Sequence, residues 1–129
     1  MLNYINQPSI TLFDSTELTS TYAGNVKALE SAGFSKLSLS ISYAMGATET
    51  SNTMELQIEE SPNGTDWYAL VIDNTSTISE ITSRAWQMGE GSLNVLIDIA
   101  YRNVRVSLKE TGVATNEGTA TVVATLSGL

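Results

Sequence analysis

The chain has 129 residues, six Lys and Arg against 14 Asp and Glu for a net charge of −8, and neither histidine nor cysteine. That length suits one domain with one sizeable core. The missing residue types remove Ser-His and Cys-His nucleophiles, disulfide staples and the commonest zinc ligands. No cluster of Lys and Arg is present to grip a phosphate backbone or anionic lipid, so neither nucleic acid nor membrane is an expected partner.

In chain order, Met1–Pro8 has neither the basic nor the apolar region of a signal peptide. It reads as a flexible N-terminal arm on a chain made in the cytoplasm, with residues 9–129 as the domain. Ser9–Phe13 is expected as a first strand and threonine-rich Leu18–Tyr22 as a second. Glycines bracket the stretch from Gly24 to Gly33 so closely that an isolated helix there would be marginal in water. A short strand with a turn at Ser31–Gly33 is the better reading.

From Lys36 to Tyr43 apolar and polar residues alternate. Successive strand side chains point to opposite faces, so Leu37, Leu39, Ile41 and Tyr43 share one face and Ser38, Ser40 and Ser42 the other. After a small-residue loop at Gly46–Asn52, Met54, Leu56 and Ile58 alternate with Glu55, Gln57 and Glu59. Ser61-Pro62-Asn63-Gly64 is a turn signal, and Trp67–Ile72 follows, so Met54–Ile72 reads as a hairpin.

Asp73–Ser76 reads as a loop, Thr77–Ser83 and Arg84–Met88 as strands, and Gly89-Glu90-Gly91 as a break. Leu93–Ala100 is the most apolar stretch, with Leu96 adding to its second face, which suggests a central strand covered on both sides. Val104–Glu110 and Thr119–Leu126 alternate again across a polar loop at Gly112–Gly118. Short strands at this spacing predict an all-β fold, a single antiparallel β-sandwich or jelly roll of about eight strands. The expected core anchors are Leu39, Ile41, Leu56, Trp67, Trp86, Ile97 and Val106.

Few residues offer chemistry. Glycoside hydrolysis needs two carboxylates about 5–9.5 Å apart, and Glu55, Glu59, Glu60, Asp66, Asp73 and Asp98 are the available acids. Glu55 and Glu59 read instead as a solvated face behind Met54, Leu56 and Ile58. Asp66, Asp73 and Asn74 could ligate calcium from loop edges, but the spaced Asp run of a calcium loop is absent. Phosphate-binding glycine loops are absent too. No catalytic residue, metal or cofactor is expected. Trp67, Tyr68 and Trp86 could stack on sugars; the tryptophans fit a core better, leaving Tyr68 for surface contact.

The run Gly33–Tyr43, the hairpin Met54–Tyr68, and the pair Ala100–Glu110 and Gly118–Leu126 together resemble small β-sandwich or jelly-roll virion proteins of tailed bacteriophages. The resemblance covers most of the chain from about Val26 onward, in segment style and order. It implies a non-enzymatic capsid decoration or cement protein on the outer capsid surface, bound to the major capsid protein and commonly homotrimeric. The alternative is a carbohydrate- or receptor-binding module of a tail or baseplate. Ser38, Ser40, Ser42 and Tyr68 are the candidate protein-contact residues; the carbohydrate alternative would use Tyr68, Trp67 or Trp86.

Overall fold

The alternating segments form strands in a computed structural model that describes residues 9–69, 86–112 and 117–128. The strands are β1 (Ser9–Glu17), β2 (Val26–Glu30), β3 (Lys36–Ala44), β4 (Thr53–Ser61), β5 (Tyr68–Ala69), β6 (Trp86–Met88), β7 (Gly91–Asp98), β8 (Asn103–Thr111) and β9 (Thr119–Ser127). They build two antiparallel sheets. The front sheet has the order β1-β9-β3-β7; the back sheet runs β2-β8-β4, with β5 and β6 both on the far edge of β4. Because β5 pairs with Glu59 and Glu60 while β6 pairs with Met54–Leu56, the two lie end to end and occupy one strand position. Eight strand positions in these two sheet orders, changing sheet at each step except from β4 to the β5/β6 position, are a jelly roll, so the sandwich expected from the sequence is the fold observed.

The apolar half of each alternation faces the space between the sheets. Leu37, Leu39, Ile41 and Tyr43 of β3 meet Met54, Leu56 and Ile58 of β4, Val104, Val106 and Leu108 of β8, and Val122, Ala124 and Leu126 of β9 in one buried cluster. Removing such a side chain leaves a cavity that its neighbours cannot fill, at about 2–5 kcal/mol for Leu→Ala.

Two segments depart from the sequence expectation, and others fall wholly or partly outside the described residues. Leu18–Tyr22 is not a strand: its residues carry the chain from one sheet to the other. Leu18 is buried and donates its amide to Gly118 O, Thr19 O receives the Glu110 amide, and a 3-10 turn follows at Tyr22–Gly24. The strand expected at Trp67–Ile72 is described only as Tyr68–Ala69. Residues 70–85 lie outside the described set, and with them the expected loop at Asp73–Ser76 and strand at Thr77–Ser83. Leu93–Ala100 is not a central strand covered on both sides. Its residues form β7, an edge strand, and Leu96 is 67% exposed on the outer face. The arm expected at residues 1–8 lies outside the described residues.

The turn after β4 forms from local hydrogen bonding. Ser61 Oγ accepts the amides of Asn63 and Gly64, while Asn63 Oδ1 accepts those of Thr65 and Asp66. Gly64 takes φ +77°, a left-handed conformation that glycine adopts without a Cβ clash.

Candidate interaction surface

The polar half of the front-sheet alternation makes one outer face. Register places Ser42 between Ser92 and Thr121, Ser40 between Asn94 and Val123, and Ser38 between Leu96 and Thr125. Side chains here are short, and they bond to one another: Ser92 Oγ to Ser42 Oγ at 3.2 Å, Ser9 Oγ to Thr125 Oγ1 at 3.0 Å. An open groove of about 290 Å³ crosses this face, lined by Ser40, Ser42, Ser92, Asn94, Thr121 and Val123. On β9, β3 and β7 the only charged side chains of the face are Lys36 and Asp98. They sit at one end and neutralise each other at 2.6 Å. Covering neutral hydroxyls costs far less than covering charges.

The outer face of the back sheet is built differently. Glu55 accepts from Gln87 Nε2 at 2.6 Å and from the Tyr22 hydroxyl at 3.1 Å, with Lys109 Nζ 3.3 Å away. Burial opposes its ionisation, but Gln87, Tyr22 and Lys109 together hold the Glu55 carboxyl below its ordinary range. Glu59 accepts from Arg105 Nε at 2.8 Å, and the same guanidinium lies over the Trp67 ring, 4.5 Å from its centroid. Strand rise separates the Cα atoms of Glu55 and Glu59 by about 13 Å, and each carboxylate already has a cation. They do not form the close couple that acid–base glycosidase chemistry uses.

A third polar group closes one end of the sandwich. Glu110, last in the inward series Val104, Val106, Leu108, is 1% exposed. The Tyr43 hydroxyl donates to its Oε2 at 2.7 Å and the Gly118 amide to its Oε1 at 3.2 Å. Glu49, from the β3–β4 loop, accepts amides of Gly46 and Glu117, each at 2.7 Å, and Asn52 Nδ2 at 2.9 Å. The two carboxyl groups influence each other's ionisation. Burial pushes Glu110 above the ordinary carboxylate range, and Glu49 adds to this against the pull of Tyr43 and Gly118. Burial also opposes ionisation of Glu49, but the amides of Glu117 and Gly46 outweigh it and hold Glu49 low. Of the two, Glu110 is the one whose neutral form is favoured. Tyr43, desolvated and facing two carboxyl groups, is pushed up from its ordinary value.

The sequence reading did not single out this cluster, although its signal was present: the alternation that buries Val106 and Leu108 also turns Glu110 inward. Glu60 is turned inward in the same way, following Met54, Leu56 and Ile58. It accepts the amide of Ala100 at 2.8 Å and so anchors the β7–β8 loop.

Of the candidate contact residues, Ser38, Ser40 and Ser42 share the front face. Tyr68 is 60% exposed but belongs to β5 in the other sheet, so the four do not form one surface. Leu39, Ile41, Leu56, Ile97 and Val106 are buried in the core. Trp67 is not a core residue: it precedes β5 on the outer side, where Arg105 covers it, and it is only half-buried. Trp86 pairs with Leu56 through its backbone, and its side chain lies outside the described set. Asp66 accepts from Asn63 Nδ2 within the turn; Asp73 and Asn74 fall outside the described residues. Among the described residues no three acidic side chains group as metal ligands would. Comparison with protein-family models, with curated proteins and with solved structures finds no match to this chain.

Proposed function

We propose that this protein is a non-enzymatic structural component of a virion, a decoration or cement protein that lies with its front sheet against the major capsid protein. The observation that carries the reading is the contrast between the two outer faces. The back face carries two ion pairs, Arg105–Glu59 and Lys109–Glu55, which are already largely shielded; covering them would remove the hydration that remains on four charged groups. The front face offers short neutral side chains, and the only ion pair on its β9, β3 and β7 strands sits at one end. The resemblance of the segments to phage virion proteins and the jelly-roll order support the same reading, since capsid domains are among the uses of that architecture.

Dimensions shape the mechanism. Four strands about 4.8 Å apart and about eight residues long, at about 3.4 Å each, present roughly 500 Å². A stable contact needs about 800 Å² from each partner. One front face is thus a weak binder, and attachment requires linked copies engaging a repeating shell.

The test is co-sedimentation of the purified protein with expanded capsids, unexpanded precursor shells and tails of the virus that encodes it. Binding to expanded capsids, with a gain in their heat resistance, is the expected result. Binding to none of them contradicts the reading. The exposed Tyr68 favours a second reading, a glycan-binding module. That reading predicts tryptophan quenching by oligosaccharides that is lost in Tyr68→Ala.

A further inference from the structure

A jelly roll has four strand edges, and two of them here, those of β1 and β2, carry features that discourage further pairing. β1 is broken by register shifts between Thr11 and Phe13 and between Phe13 and Thr16, with Ser15 at φ +47°. β2 has five residues and includes Lys27 and Glu30. Bulges, charges and short length are the usual protections of an edge.

β7 is neither bulged nor short, and its one charge lies at its end. Its eight residues, Gly91–Asp98, pair with β3 without a register shift, contain no proline or lysine, and carry one charge, at the last position. Among the described residues nothing pairs with its other edge. Leu96 and Leu93 are 67% and 39% exposed there.

We propose that β7 is a self-association edge: two copies pair β7 to β7, antiparallel, about a two-fold axis through Val95. The occupant follows from self-complementarity. Opposed residues of an antiparallel pair must point to the same face, so a two-fold axis passes through a residue position. An axis at Asn94 would set Glu90 against Asp98, like charge against like. An axis at Leu96 would draw Ile99 into the pair, yet Ile99 has left the strand and donates its amide to Ser35 O at 2.9 Å. At Val95, Leu93 meets Ile97, Asn94 meets Leu96 and Ser92 meets Asp98, with no like charges opposed and Ser92 to Asp98 all in use. The dimer joins two front sheets into one of eight strands with a combined outer face of roughly 1,000 Å², and the neutral strips of β9, β3 and β7 lie side by side at its centre. The pairing does not depend on the virion reading. It also differs from the trimer that the resemblance implies.

Two chains of net charge −8 repel each other, and that repulsion is screened beyond about 8 Å at physiological salt. Association therefore strengthens as salt is added. The experiment is light scattering on the purified protein across concentration and NaCl, with two variants. Val95→Cys, in a chain with no other cysteine, places two thiols across the axis at the Cα separation of an antiparallel pair, about 4.5–5.5 Å, within disulfide reach. Leu96→Lys puts a charge on the exposed edge without touching the core.

The expected result is a dimer mass that grows with salt, a covalent dimer of Val95→Cys on oxidation, none for Lys27→Cys on β2, and monomer mass for Leu96→Lys with unchanged circular dichroism. A monomer at every concentration and salt, a trimer mass, or a dimer that survives Leu96→Lys and cross-links equally at Lys27→Cys overturns the proposal.

Discussion

Tyr43, Glu49 and Glu110 tie the β3–β4 and β8–β9 loops to the end of the core. Glu110→Ala leaves the Tyr43 hydroxyl and Gly118 amide buried without their acceptor, which costs about 1–3 kcal/mol for each such group. Chemical denaturation is expected to show a loss of that order. The pH dependence has a defined sign. The pKa of Glu110 is raised in the folded protein, so its contribution to stability is complete below the ordinary carboxylate value and is lost as pH rises through the folded one. Glu49 is lowered, so its contribution is present above the ordinary value and is lost as pH falls through its own. The pair is thus most stabilising at mildly acidic pH. Glu110→Gln, which keeps a neutral donor beside Glu49, is expected to flatten the alkaline side of a melting-temperature profile. Gly118 packs so closely on Glu110 and Tyr43 that an added Cβ would overlap the Glu110 carboxyl. Gly118→Ala is expected to destabilise by about 1–3 kcal/mol, through overpacking, in the same denaturation assay.

At the scale of elements, the sequence was informative wherever one period governed a strand. β3, β4, β8 and β9 each run nine residues with burial that alternates except at Ser61 and Ser107, and their apolar positions are readable as core from the sequence. β7 was misread because an extra apolar residue on the second face has two physical origins: cover on both sides, or an exposed edge position. Leu96 is the second kind, and periodicity alone carries no information about neighbours. The crossing at Leu18–Tyr22 was misread for a related reason. Its threonines suit a pleated surface, but topology requires a passage between sheets there. The two leucines predict opposite outcomes. Leu56→Ala is expected to lose about 2–5 kcal/mol as a cavity mutation. Leu96→Lys is expected to stay within about 0.5 kcal/mol of wild type, as exposed substitutions do. Thermal unfolding of the two variants distinguishes a core strand from an edge strand.

For the whole molecule, the sandwich was legible and its asymmetry only partly so. Ser38, Ser40 and Ser42 marked a neutral face on one strand. That the face extends across Ser92, Asn94, Thr121 and Thr125 depends on β7 and β9 flanking β3, a long-range pairing that no local pattern encodes. Tyr68 could not be assigned to the same or the other sheet for the same reason. The central claim is that attachment uses the front face and leaves the back face in water. On the proposed virion role, the direct measurement is co-sedimentation of Ser40→Arg and Gln57→Arg with the expanded capsids that the proposal names as the partner. The account predicts that Ser40→Arg, which places a charge at the centre of the front face, abolishes binding while Gln57→Arg on the back face binds as wild type. Retained binding by Ser40→Arg together with loss in Gln57→Arg would contradict it.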